Sequence, residues 1–244
     1  MQAIILLGGK GTRLSAMYPD LPKALVPIAG KPFLEWQLEW LARGGVTEFH
    51  LAAGHLAGQI ETWANNQRSF RITVSREPQA LGTGGGLKFV EPFLKSDPFY
   101  VVNGDSLMPN LDFQSLETFH RNFPMIGKSN TKSSRDWTTI AVSRIESAGR
   151  YGTVEFNELG TITAFREKAG RDAGWVNGGV YLMSRGTLGG IPPDTNVSIE
   201  TDLFPQLAAK GWLAAFRGEP PLLDMGTPDG IRAMEACLRK EASR

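Results

Sequence analysis

Apolar residues run without alternation through positions 3–7 (AIILL), which predicts a strand buried on both faces. Pro32 then opens a helix whose Leu34, Leu38 and Leu41 share one face, and Gly44-Gly45 ends it. A second strand is predicted at Glu48–Ala53, a helix across Ile60 and Trp63, and a third strand at 71–75. The glycines of 82–86 lead into a helix through Leu87, Val90 and Leu94, and Phe99–Asn103 is a fourth apolar run. Strand and helix alternating at this spacing imply a parallel sheet covered on both faces.

Beyond residue 123 the pattern loosens. Residues 124–137 are polar, with Lys128-Ser129-Asn130-Thr131 and then Lys132-Ser133-Ser134-Arg135 offering little to bury, and predict a mobile loop. Short strands follow at 139–142, 152–156, Ile162–Arg166, 179–183, 213–216 and 222–224. The turn signal Asn157-Glu158-Leu159-Gly160 joins two of them. A last helix starts at about residue 229, with Ile231, Met234 and Leu238 on its buried side. There is no internal repeat and no hexapeptide β-helix tail. The expected architecture is one α/β domain over 1–244: a Rossmann-like, mostly parallel sheet sandwiched by helices, with a smaller β subregion in the second half.

Composition narrows the function classes. The 244 residues are 41% apolar, enough for a sizeable core. Lys+Arg 26 against Asp+Glu 25 gives a net charge of +1, so no overall field favours nucleic acid or an anionic membrane. The single cysteine, Cys237, rules out an internal disulfide framework and a multi-cysteine zinc site, and reads as an apolar filler. His50, His55 and His120 lack metal-ligand spacing and read as packing or surface residues. No apolar run approaches the roughly 18 residues of a membrane span, and the start lacks a basic leader. A soluble cytoplasmic protein is expected.

The chemistry gathers at predicted strand ends. Directly after the first strand comes Leu7-Gly8-Gly9-Lys10-Gly11-Thr12-Arg13-Leu14, a loop of little bulk followed by a cation. Leu14 stands where a dinucleotide fingerprint needs its third glycine, and no Walker A loop can be drawn. Such a loop can close its amides on an oxyanion, but a tight turn with solvated charges has the same sequence. Pro22-Lys23 adds a second cation on a stiffened segment. Asp105 follows an apolar strand and Gly104, so its carboxylate is expected at the carboxyl edge of the sheet, where ligands bind. Asp224 ends the run Leu222-Leu223. Two such carboxylates suit Mg²⁺, which takes one or two of them plus phosphate oxygens. Each aspartate alone also suits a turn, and Asp224 a cap of the last helix.

The Gly8-Gly9-x-Gly11-Thr12-Arg13-Leu14 loop with Pro22-Lys23 resembles the signature of the sugar-1-phosphate nucleotidyltransferases. Further pieces recur in family order along almost the whole chain. Glu77-Pro78 and Leu81-Gly82-Thr83-Gly84-Gly85 resemble the base-binding segment, and Asn103-Gly104-Asp105 the metal-binding strand end. Tyr151-Gly152, Glu167-Lys168 and Asn177-Gly178-Gly179-Val180-Tyr181 resemble sugar-binding elements, with Glu200 and Asp224-Met225-Gly226-Thr227 completing the set. The resemblance implies attack of a sugar 1-phosphate oxygen on the α-phosphorus of a nucleoside triphosphate, releasing pyrophosphate. Such a displacement asks for positioning and charge neutralisation more than for an acid or base. It further implies that Arg13 holds the β- and γ-phosphates, Lys23 the α-phosphate and Lys168 the sugar phosphate, with Mg²⁺ between Asp105 and Asp224. Leu7, Gly8, Gly9, Gly11 and Thr12 would contact nucleotide, as would Glu77, Gln79, Gly82 and Thr83, all within about residues 1–123. Gly152, Glu167, Asn177 and Glu200 would join Lys168 around the sugar phosphate, within about 138–244.

Base choice turns on Glu77. A carboxylate only accepts hydrogen bonds, and guanine offers two donors on its Watson–Crick edge where uracil offers one, so GTP is expected. Gln79 can read a pyrimidine through its amide, which keeps UTP open. The opening MQAIILLGGKGTRL, VNGGVY and DMGTPDG look most like the heptose-1-phosphate guanylyltransferase branch. The other reading is a uridylyltransferase for N-acetylmuramic acid or glucose 1-phosphate. A non-catalytic nucleotide-sugar binder would not need every cation and carboxylate named above. A glycosyltransferase more usually carries an acidic pair where this chain has Asn103-Gly104-Asp105. Homo-oligomerisation is left open.

Overall fold

The structure, a computed structural model, describes residues 1–9, 17–126, 136–146, 151–166 and 173–242. The first half runs β1 (Gln2–Leu7), β2 (Pro27–Ile28), β3 (Lys31–Pro32), α1 (Phe33–Arg43), β4 (Glu48–Ala53), α2 (Ala57–Asn66), β5 (Ile72–Arg76) and α3 (Gly82–Val90). It continues through β6 (Phe99–Asn103), β7 (Ser106–Leu107) and α4 (Phe113–Ile126). The second half holds β8 (Thr138–Ile145), β9 (Thr153–Phe156), β10 (Ile162–Arg166), β11 (Gly174–Met183), α5 (Phe204–Ala209), β12 (Leu213–Arg217), β13 (Leu223–Asp224) and α6 (Pro228–Ala242).

Nine of the strands form one sheet. β6, β1, β4 and β5 lie side by side and parallel. From β1 the chain steps outward to β4 and β5, then returns to β6 on the other flank. The crevice outside the carboxyl ends of strands at such a reversal is where open α/β sheets bind ligands. Beyond β6 the sheet changes character: β11 runs antiparallel to β6, β8 and β9, while β12 rejoins β8 in parallel. The α/β sandwich is as expected, with its parallel pairs concentrated in the first half.

The continuous apolar run of β1 now has its cause. Ala3 and Ile5 pack into one core with Leu34, Leu38 and Leu41 of α1 and Met234 and Leu238 of α6. Ile4 faces the opposite core, with Leu87 and Val90 of α3 and Phe204 and Leu207 of α5. Each of these side chains larger than Ala3, fully buried, contributes about 1.5–3 kcal/mol. His50 and His120 are core residues: His50 pairs with the hydroxyls of Thr73 (2.8 Å) and Ser75 (2.9 Å), His120 with that of Thr139 (2.8 Å). Burial pushes both imidazoles down to about 4, so they are neutral at physiological pH. Among the described residues, no helix is long and apolar enough to cross a membrane.

Several boundaries differ from the sequence expectation. α3 begins at Gly82 itself, inside the glycine cluster, and gives way to a 3₁₀ turn (Glu91–Phe93) before Leu94. α4 continues to Ile126, into the stretch expected as loop from 124, and 127–135 lie outside the described residues. β11 starts at Gly174 rather than 179, because ladder pairing of Gly174 to Asn177 with β8 needs no apolar run. The β2–β3 hairpin, β7 and the π-helical turn (Ile199–Leu203) leading into α5 carry no periodic signal, whereas β13 falls within the strand expected at 222–224.

Candidate active site

A cleft of about 440 Å³ opens at the carboxyl ends of β1, β4, β5 and β6, within the usual range of small-molecule sites. Each parallel strand contributes to it: Leu7, Gly8 and Gly9 follow from β1, His55 and Leu56 from β4, Glu77 from β5, and Asn103, Gly104 and Asp105 from β6. Lys23 enters on a 3₁₀ turn (Lys23–Leu25) begun by Pro22, and Gly82 and Thr83 enter on the first turn of α3.

Lys23 and Asp105, far apart in sequence, form an ion pair with Nζ donating to Oδ2 at 2.6 Å. The other carboxylate oxygen, Oδ1, accepts from Ser106 Oγ at 3.0 Å. Antiparallel pairing of β13 with β7 sets Asp224 opposite Ser106, and Met225 N donates to the Asp105 carbonyl at 3.0 Å. Asp224 is therefore paired across the β7–β13 ladder with the residue next to Asp105. Asp224 is not the cap of α6: its Oδ1 accepts from Gly226 N, while Thr227 Oγ1 accepts from Gly230 N at 3.1 Å. A carboxylate has about four lone-pair positions, so Asp105 keeps acceptor capacity beyond Lys23 and Ser106. This all-oxygen pair fits a hard divalent cation that completes its shell with phosphate oxygens. Among the described residues, no group of three or more His, Cys, Asp or Glu forms a closed cage, and such a cation does not need one.

α6 lies so close to β13 that a Cβ on Gly230 would sit 1.9 Å from the Asp224 carbonyl oxygen. Gly230→Ala must push helix and strand apart. Overpacking of this kind costs about 1–3 kcal/mol, so Tm should fall by roughly 2–12 °C in a melting experiment. An unchanged Tm would mean that the helix seats less closely on β13.

In the cleft wall after β5, Glu77 N donates to Ala53 O at 2.9 Å, and Leu81 N donates to Glu77 Oε2 at 3.3 Å. A Cβ on Gly86 would approach Glu77 Oε1 to 2.6 Å, so the carboxylate rests on bare helix backbone. Burial pushes its pKa above the usual carboxylate value, partly opposed by the Leu81 N–H. Neighbouring Gln79 is exposed and does not line the cleft; Ala80 and Asn196 do.

The second half of the chain braces this wall. Gly84 N and Gly85 N both donate to Val197 O (2.7 and 3.2 Å), and Val197 N donates to Leu81 O at 2.9 Å. Thr83 Oγ1 donates to Glu200 Oε2 and accepts from Ile199 N, each at 2.9 Å. A Cβ on Gly85 would lie 2.2 Å from Thr195 O, so the glycine cluster lets this segment lie on the helix. Toward the sugar-half residues, Asn177 N donates to Gly152 O at 2.9 Å. Asn177 Nδ2 (2.8 Å) and Asn103 Nδ2 (3.4 Å) both donate to the hydroxyl of buried Tyr181. Burial and the nearby carboxylates of Glu200 and Asp105 raise the Tyr181 phenol well above its usual value, which keeps it neutral. Asn177 and Glu200 thus lie near one tyrosine that also neighbours Asn103 and Asp105, and Gly152 is bonded to Asn177. Gly11, Thr12, Arg13, Glu167 and Lys168 lie outside the described residues. Sequence reasoning missed the cleft contributions of His55, Leu56 and Asn196. Of these, only Leu56 has a local peculiarity, a left-handed φ of 57°.

Over residues 2–241 the sequence matches the protein family described as Nucleotidyl transferase. The chain belongs to that family. Among curated nucleotidyl transferases, D-glycero-α-D-manno-heptose 1-phosphate guanylyltransferase of Campylobacter jejuni is 34% identical over 186 residues, 76% of each chain. The Aneurinibacillus thermoaerophilus protein of the same name is 30% identical over 98% of this chain and 99% of its own. The crystal structure of HddC from Yersinia pseudotuberculosis complexed with GMP-PN superposes with a TM-score of 0.80 at 28% identity, covering 97% of this chain and 99% of that one. Nucleotidyl transferases generally use a divalent metal, in keeping with the Asp105–Asp224 pair.

Proposed function

We propose that this nucleotidyl transferase moves GMP from GTP to a manno-heptose 1-phosphate, with Mg²⁺, giving a GDP-heptose and pyrophosphate. The observation that carries the reading is that one cleft is lined both by the Glu77 carboxylate and by the Lys23–Asp105 ion pair. The heptose guanylyltransferase relatives and the GMP-PN complex support both base and sugar. In this reading an anionic oxygen of the sugar phosphate bonds to the α-phosphorus as the bond to the β-phosphate oxygen breaks. The nucleophile is already ionised, so no general base is required, and the protein's work is alignment and charge neutralisation. Lys23 contacts the α-phosphate, Arg13 the departing pyrophosphate and Lys168 the sugar phosphate; Gly152, Glu167, Asn177 and Glu200 orient the sugar. Nucleotide is handled by about residues 1–123 and sugar phosphate by about 138–244. Asp105 and Asp224 would hold the metal, which when bound supplies positive charge against the α-phosphate. The reading includes a cytoplasmic location, supported by the nucleotide substrate, and no nucleic-acid partner, supported by the +1 net charge.

The test is kcat/KM for GTP and UTP with heptose 1-phosphate, in wild type and Glu77→Gln. A carboxylate facing uracil leaves one lone-pair direction unmatched, which costs about 1–3 kcal/mol, so GTP should lead by about 5- to 150-fold. Glu77→Gln should shrink that lead, because an amide presents a donor where guanine also presents one. A wild type that prefers UTP overturns the guanine reading. A lead untouched by Glu77→Gln moves base reading to other cleft residues.

A further inference from the structure

Gln37 is a fully buried amide on the α1 face that otherwise presents Leu34, Leu38 and Leu41 to the core. Core packing alone does not call for an amide here. Its Nε2 donates to two main-chain carbonyls, Asn103 O and Ser106 O, each at 2.9 Å. Those two residues bracket Gly104-Asp105. Both amide protons are thereby used, and the reverse amide orientation would turn an oxygen toward two carbonyl oxygens. Gln37 Oε1 has no hydrogen-bond partner among the described residues, so the side chain is held by its donor half alone.

We propose that Gln37 is a positioning residue that fixes the Asp105 turn for metal binding. The inference rests on the reading of Asp105 as a metal ligand. The turn is tied from above by Met225 N on the Asp105 carbonyl (3.0 Å) and at its start by Gly104 N on Leu6 O (3.1 Å). Gln37 closes it from beneath by joining its two ends. With the amide gone, two carbonyls face the core without a donor, the turn reorients to find one, and the Asp105 carboxylate moves with it. Groups that orient metal ligands in this way typically matter by about 10- to 100-fold in metal affinity.

The experiment is Mn²⁺ titration of the whole protein, followed by the electron paramagnetic resonance signal of the free ion, with Tm recorded for each variant. Gln37→Met, close in volume but without donors, should weaken Mn²⁺ binding by about 10- to 100-fold. Leu41→Ala, which opens a cavity on the same helix without touching the turn, should lower Tm while leaving the affinity within about twofold. Should Gln37→Met not fold, Gln37→Leu takes its place. Wild-type affinity in the Gln37 variant, with affinity lost in Asp105→Asn, overturns the inference and leaves the metal reading intact. Wild-type affinity in Asp105→Asn overturns the metal reading itself, and the inference with it. A loss in Leu41→Ala as large as in the Gln37 variant reduces Gln37 to general packing and likewise overturns the inference.

Discussion

Asp105→Asn should lower kcat by about 10²- to 10⁴-fold while moving Tm by only a few degrees. The substitution keeps size, and an amide oxygen can still accept from Ser106 Oγ, so the turn retains that tie. What it loses is charge. The ion pair with Lys23 is partly exposed, with side-chain exposures of 19% and 36%. Such pairs contribute about 0–1 kcal/mol to stability, which corresponds to no more than about 2–4 °C in a chain of this size. In the proposed reading, charge that helps hold a divalent cation would instead contribute several kcal/mol at the transition state. The two magnitudes separate the readings: a structural aspartate loses stability first, a metal-site aspartate loses rate first. A variant keeping more than about half of the wild-type kcat at saturating Mg²⁺ would end the metal assignment.

How far Asp105 and its surroundings could be read from sequence follows from the physics of each element. β1 and β6 are buried on both faces, so unbroken apolar runs mark them, and Asp105 announces itself as a charge two residues beyond such a run. Glu77, one residue past the half-exposed β5, is legible only through the family resemblance of Glu77-Pro78. The nearness of Asp224 to Asp105 is implied by the family resemblance and not by any pattern along the chain. It arises from two-residue strands, β7 and β13, too short to show any period. Gln37 gives no signal because an amide within an apolar helix face acquires meaning only from the carbonyls that fold against it. The glycines of 82–86, expected to lead into a helix, are themselves its first residues, and Gly82, Gly84 and Gly85 are small because residues 195–197 lie against them. Contacts across more than a hundred residues leave no local trace. That is also why sequence keeps Gln79 as a second base-reading candidate behind Glu77: two positions apart, one lines the cleft and the other is exposed.

Lys23→Ala should reduce kcat/KM by about 10²- to 10³-fold, the scale of removing one preorganised donor from a developing charge. A second expectation of opposite sign accompanies it. The Lys23 ammonium lies 2.6 Å from Asp105 Oδ2, an oxygen that a cation held by Asp105 would have to share with it. Removing the ammonium removes that competition. A pair of this exposure contributes up to about 1 kcal/mol, so metal affinity in the absence of nucleotide should tighten by up to about fivefold. Tighter metal with a slower enzyme distinguishes this variant from Asp105→Asn, which loses both. Metal titration without nucleotide, alongside kcat/KM for GTP, makes the comparison. If Lys23→Ala instead loosened metal binding, Lys23 would be acting as a brace for the Asp105 side chain, and the α-phosphate role would pass to another cation, with Arg13 first in line. If both single variants and the Lys23→Ala/Asp105→Asn double variant lost the same rate, the pair would act as one unit, since groups that work together are not additive.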